Sequence, residues 1–425
     1  MSEFDKVDFF TDQSLVADPY PYFEFLRGKC PVTREPHHGV MAVTGYEEAA
    51  AVYRDAATFS SCNAATGPFP GLPFEPQGDD ITDQVEAHRS GFPAHEHLVT
   101  FDPPRHTEHR QLLKRLLTPK RLKENEEFMW RLADDQLDRF LGAGGCEFIT
   151  AYSQPFALLV IADLLGVPES DHDLFRLLLR TETQLPGSLD PEQALAQRDP
   201  LQFLVEKFTS YVEDRRREPR DDVLTGLATA TFSDGSLPEV IDVVRIAAFL
   251  FAAGQETTAR LLASALRIIA EQPDLQRQLR AERNRIPSFI EETLRFESPV
   301  KSDFRLAMTS TTLGGVEIPA GTTVMLMPGA VNRDPRKFHE PAEFRVNRAN
   351  VREHIAFGRG VHSCVGAPLA RAEGRVSIER ILDRMADIRI SENAHGSAGE
   401  RRFDYEPTFI LRGLTELHLE YTPVG

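Results

Sequence analysis

The chain has 425 residues, 41% hydrophobic and 27% charged, an ordinary globular composition. Its 48 Lys and Arg against 65 Asp and Glu leave a net charge of −17, which disfavours nucleic acid as a partner. No stretch approaches the ~20 apolar residues of a membrane span, residues 1–30 hold no signal-peptide core, and Cys30, Cys62, Cys146 and Cys364 form no zinc or disulfide spacing, so a soluble cytoplasmic protein is expected.

Residues 18–30 read as a short amphipathic helix, "GVMAVTG" (39–45) as a strand, and "YEEAAAVYRD" as the helix after it. Residues 60–104 are dense in Gly and Pro and keep no period, which marks a functional or disordered loop. Helices are then expected near 105–118, 121–141, 147–166, 169–183, 200–217 and 221–229. The longest starts at "GSLPEV", with Ser236 as cap and Pro238 inside the start, and stays apolar to about Ala270. At 1.5 Å per residue that is a rod on the order of 50 Å, and only a covered central helix stays so apolar. "PSFIEETLRFE" (287–297) is a further helix, and 305–327 reads as hairpins broken by Gly-Gly and Pro-Ala-Gly. The sum is a mainly α protein with a smaller β part.

Four constellations stand out. In "FGRGVHSCVG" (357–366), Gly358 and Gly360 permit tight backbone and Cys364 precedes a helix with Pro368 in its first turn. A helix N-terminus stabilises a thiolate, so Cys364 is a nucleophile, a metal ligand or simply a buried cysteine. In "FAAGQETTAR" (251–260), a glycine and Glu256 interrupt an apolar helix. Either they serve function, or Glu256 pairs with Arg260 at i,i+4 while Thr257 bonds back to a carbonyl. Phe249, Ala253 and Thr257 share one face, which suits a cavity floor. "EETLR" sets Glu292 and Arg295 at i,i+3. In "DPPRHTEHRQLLKRLLTPKRLK", His106 and Arg110 at i,i+4 can reach one anion or form a solvated face.

Together these residues resemble the soluble bacterial cytochrome P-450 family of haem-thiolate monooxygenases. The haem-loop pattern Phe-x-x-Gly-x-His/Arg-x-Cys-x-Gly matches Phe357, Gly360, His362, Cys364 and Gly366; the oxygen-activation pattern matches Ala253, Gly254, Glu256 and Thr257; the Glu-x-x-Arg pair is Glu292 and Arg295. Order and spacing agree from about residue 15 to residue 420, so the resemblance implies one haem-thiolate domain over 1–425. It implies haem b ligated by Cys364, with Phe357, Gly358, Gly366 and Ala253 around it and His106, Arg110, Arg305 and His362 on its propionates. Thr257 and Glu256 would relay protons to dioxygen, the co-substrate, while Glu292 and Arg295 would brace the core. Phe249, Ala253 and Val300, with loops 60–104 and 180–200, would wall a site for an apolar small molecule, such as a terpenoid, steroid, fatty acid or aromatic.

The chain has no flavin, nicotinamide or iron–sulfur motif, so electrons are expected from an external ferredoxin and its reductase. Residues 105–123 hold seven Lys/Arg and one acidic residue, and Lys114, Arg115, Lys120, Arg121 and Lys123 are expected to face that acidic partner. No membrane or nucleic-acid partner is expected, and the protein is read as a monomer. The competing readings are a peroxide-dependent haem-thiolate enzyme, against which the intact Glu256–Thr257 pair argues, a haem-binding sensor without chemistry, and a haem-free enzyme with Cys364 as nucleophile.

Overall fold

The computed structural model describes residues 3–113, 116–176 and 200–424. Lys114, Arg115, the end of the helix expected over 169–183 and the 180–199 part of the expected access segment lie outside them. The chain divides into two compact units. One comprises Met1–Thr107, Asn284–Ala367 and Arg402–Thr415, the other Glu108–Arg283, Pro368–Arg401 and Glu416–Gly425.

The second unit is built around the helix Val240–Glu271, 32 residues long and unbroken. It packs on the helices Gln154–Leu165 and Pro200–Arg217. Its C-terminal half, from Thr258 to Ala270, is buried almost without interruption, as a covered rod requires. Its start differs from expectation. Ser236 N–H and Oγ both bind Asp234 Oδ1, at 2.8 and 2.6 Å, so Ser236 closes an Asx turn instead of capping, and Pro238 precedes the helix. The helix expected over 121–141 runs over Pro119–Asp138, capped by Thr118. Other elements of this unit were not expected. Pro273–Ala281 is a short helix with Pro273 at its first position. A three-stranded sheet aligns Gly145–Glu147, His418–Pro423 and Met385–Ile390 in that order.

The first unit holds a five-stranded sheet in the order Val32–Arg34, Met41–Val43, Thr323–Leu326, Asp303–Ala307, Phe59–Ser60. Met41 pairs with Val324 in parallel and Asp303 with Leu326 antiparallel. The expected Gly-Gly hairpin is present, with Thr311–Leu313 against Val316–Ile318. The 60–104 loop is more ordered than its composition suggests. It forms the helix Thr82–Ala87, and Cys62, Ile81, Val85 and Phe92 pack with Leu306 and Met308, so burial supplies the order that periodicity does not. Among the described residues no helix is long and apolar enough to cross a membrane.

Lys301 is 4% exposed in the first unit. Burial pushes its ammonium down from 10.5 to about 8, and repulsion from Arg412 adds to this. The folded state therefore binds this proton more weakly than the unfolded chain, so the penalty is full below pH 8 and fades as pH rises towards 10.5. Lys301→Met is expected to stabilise the protein at pH 7 by on the order of 2 kcal/mol, and by progressively less above pH 8. Calorimetric melting of both proteins at pH 7 and pH 10 checks this; a gain that is constant with pH contradicts it.

Candidate active site

The residues singled out from the sequence fall on both units. In the first unit, the Cys364 loop is closed by backbone bonds. Gly358 N–H donates to Ile355 O (2.9 Å), Ser363 N–H to Gly360 O (3.1 Å) and Cys364 N–H to Phe357 O (2.8 Å). Gly360 has φ +69°, and a Cβ there would lie 2.0 Å from Tyr53 O, so no other residue fits. Cys364 forms no disulfide and is exposed. A Cβ on Gly366 would stand 3.8 Å from its sulfur, so glycine leaves that side of the sulfur open to a flat group. Cys62 and Cys146 differ: burial pushes both thiols up to about 12, which keeps them protonated. The exposed thiol beside a glycine fits a haem ligand.

His106, 1% exposed, lies with its ring centroid 3.9 Å from that of His362. Arg305 is 5% exposed on the strand Asp303–Ala307. Its Nη1 donates to Asp303 Oδ1 (3.0 Å) and Phe304 O (2.6 Å), while Nε and Nη2 have no partner among the described residues, so part of the fork is available to an anion. Val300 is half-buried and bridges to Leu411. Beneath the loop, Ala356 N–H donates to His354 Nδ1 (3.2 Å), which leaves the ring proton on Nε2, facing Glu291 Oε2 at 2.9 Å.

Glu292 and Arg295 form a fully buried fork, with Nε–Oε2 at 2.7 Å and Nη2–Oε1 at 2.8 Å. Arg295 also donates to Asn332 O, Pro341 O and Glu343 O, so all its N–H groups are used. Arg348, which sequence reasoning missed, joins them with Nε 3.1 Å from both Glu292 oxygens. Its only sequence signal was a further arginine in an irregular stretch.

In the second unit, Phe249, Ala253, Glu256 and Thr257 fall on the less covered stretch of the long helix. Thr257 Oγ1 donates to Ala253 O at 2.8 Å, and Arg260 Nη1 reaches Glu256 Oε2 at 3.3 Å. Both local bonds weighed as the bland reading therefore exist. The Glu256 side chain is nonetheless 49% exposed, so solvent screens the pair and leaves the carboxyl accessible. A Cβ on Gly254 would meet Ile161 Cδ1 at 3.3 Å, so the glycine lets two helices approach. Arg110 sits one turn beyond His106 on the helix Arg105–Leu112, half-buried.

The basic stretch needs a correction. Arg121 does not face a partner. It is 15% exposed, and its Nη2 donates to the carboxylate (3.0 Å) and main-chain oxygen of Asp163. A charge count cannot reveal an acidic residue that the fold brings up from position 163. Lys120 is 88% exposed and Lys123 is exposed. The sequence also gave no warning of Glu373, 2% exposed, whose Oε2 has no partner among the described residues; burial holds its carboxyl well above the usual range.

The family model for cytochrome P450 matches residues 171–386. Cytochrome P450 144 of Mycobacterium tuberculosis is 36% identical over 389 residues, covering 91% of this chain and 87% of that protein. The substrate-free structure of cytochrome P450 CYP150A6 from Mycobacterium marinum is 63% identical, with a TM-score of 0.94 over 99% of this chain and all of the other. CYP109E1 of Bacillus megaterium, solved in complex with corticosterone, is 27% identical with a TM-score of 0.79, over 95% of this chain and 98% of that one. A family match over half the chain, and likeness along nearly all of it, agree with the loop and helix motifs: the chain belongs to the cytochrome P450 family of haem-thiolate monooxygenases, oxidoreductases that bind haem b and use dioxygen.

Proposed function

We propose that this monooxygenase hydroxylates or epoxidises an apolar small molecule in the cytoplasm, as a monomer and a single haem domain over 1–425, with electrons from a ferredoxin. The observation that carries the reading is the exposed Cys364, outside any disulfide, with its sulfur beside Gly366 in a loop closed by backbone bonds. Bound haem supplies iron for dioxygen activation, and a thiolate ligand favours O–O cleavage. Cys364 would hold the group, with Phe357, Gly358 and Gly366 shaping the loop and Ala253 contributing from the long helix. His106, His362, Arg110 and the open part of the Arg305 fork would pair with its propionates. Phe249, Ala253 and Val300 present apolar surface to the substrate. A steroid is one candidate, in line with the corticosterone complex of CYP109E1.

Thr257 and Glu256 move protons. The Thr257 hydroxyl, donating to Ala253 O, offers its lone pairs to water, and the half-exposed Glu256 carboxyl exchanges protons with solvent. Thr257→Ala is expected to keep reductant consumption while product per reductant falls on the order of tenfold, the balance leaving as peroxide. Glu256→Gln is expected to slow turnover. Reductant, peroxide and product measured together check both, and undiminished product in the threonine variant contradicts the relay.

Lys120 and Lys123 present positive charge on an acidic protein, which suits an acidic iron–sulfur donor. Haem reduction by ferredoxin is expected to slow steeply with salt, and Lys120→Glu with Lys123→Glu to lower its rate about fivefold at low salt with substrate binding unchanged. Stopped-flow reduction against ionic strength checks this; rates indifferent to salt and to both substitutions contradict it.

A further inference from the structure

The first unit contains a pocket of about 300 Å³ between the 34–40 turn, the 63–72 and 92–93 segments and residues 320–323. None of its lining residues is assigned above to haem or proton transfer, and residues 63–72 and 92–93 belong to the 60–104 loop expected from the sequence to wall the substrate site. Three features give it a chemical character. Arg34 lines it, and its guanidinium has no ion-pair or hydrogen-bond partner among the described residues. A Cβ on Gly39 would meet Arg34 Nη2 at 3.5 Å, so the guanidinium lies over this glycine at the pocket wall. The nearby acid is already engaged: Asp8 accepts from Phe10 N–H and Thr11 Oγ1 and lies 3.1 Å from His38 Nε2.

The second feature is Asn63, 3% exposed. Its Nδ2 donates to Thr323 Oγ1 at 3.2 Å, while its buried Oδ1 has no partner among the described residues. A buried amide oxygen left unpaired costs about 1–3 kcal/mol, and a bound donor relieves that cost. The third is a group of apolar side chains, Phe69, Leu72 and Phe92, in a lining that is otherwise mostly polar, and these suit a ring.

We infer that this pocket binds a small aromatic hydroxy acid, its carboxylate on Arg34 and its hydroxyl donating to Asn63 Oδ1. The inference goes beyond the proposed function, because none of the residues proposed there to hold haem or touch substrate lines this pocket. A cation that lacks a carboxylate takes an anion, an acceptor that lacks a donor takes a hydroxyl, and the apolar side chains of the lining take the ring. Lysine at position 34 would retain the charge but not the planar fork.

The test uses the haem-loaded protein and three matched probes: 4-hydroxyphenylacetate, phenylacetate without the hydroxyl, and 2-(4-hydroxyphenyl)ethanol without the charge. Binding is followed by equilibrium dialysis and, in parallel, by the Soret band. 4-Hydroxyphenylacetate is expected to bind tightest, with the Soret band unmoved. Arg34→Gln should weaken both acids about tenfold and leave the alcohol unaffected. Asn63→Ala should erase the advantage of the hydroxy acid over phenylacetate. Arg34 is exposed, so its variant is expected to fold even where the asparagine variant does not. Absence of saturable binding at roughly millimolar probe overturns the proposal. So does equal binding by Arg34→Gln, or binding that shifts the Soret band, which places the probe at the haem.

Discussion

Arg295→Ala is expected to give protein that melts far earlier than wild type and retains little haem. The substitution leaves Glu292, with no exposed surface, facing only Arg348 and the Arg345 N–H, and strips a donor from each of Asn332 O, Pro341 O and Glu343 O. Breaking a buried pair from one side costs about 3–5 kcal/mol, a large part of the 5–15 kcal/mol typical of a folded protein. Arg295→Lys should fall only slightly short of this loss, because one ammonium cannot replace a fork that serves two carboxylate oxygens and three carbonyls. Arg260→Ala is the control. It also removes an ion pair within one helix, but Glu256 is 49% exposed, and such pairs contribute under about 1 kcal/mol. Melting temperature and haem per polypeptide, measured on all three variants, decide the matter. Wild-type melting in Arg295→Ala contradicts the bracing role.

That contrast also shows what was legible in the sequence. Glu292 with Arg295 and Glu256 with Arg260 look alike as text, since both are charged pairs one turn apart. Spacing along a helix tells which side chains share a face and says nothing of what covers it. The Cys364 loop was legible because glycines at 358, 360 and 366 answer to local backbone and local space. The long helix was legible because its burial repeats along one continuous segment. Its start was misjudged because Ser236 and Asp234 offered an equally good turn chemistry. Arg121 was misread for the opposite reason: its partner, Asp163, belongs to another helix. The three-stranded sheet was missed on the same ground, since Leu419 must find Cys146 across most of the chain. Asn63 lies within a segment read only as irregular, and nothing in its neighbours announces an unpaired buried oxygen.

The central claim is that Cys364 is the haem ligand. Cys62 and Cys146 are held protonated by burial, and only Cys364 stands exposed next to the open side of a glycine. The direct measurement is the absorption of the reduced haem protein under carbon monoxide, in wild type and in Cys364→His, at equal haem content. A thiolate ligand gives wild type a red-shifted Soret band, and an imidazole ligand at the same position removes that shift and with it substrate oxidation. A red-shifted band that survives unchanged in Cys364→His contradicts the assignment and moves the ligand to another residue.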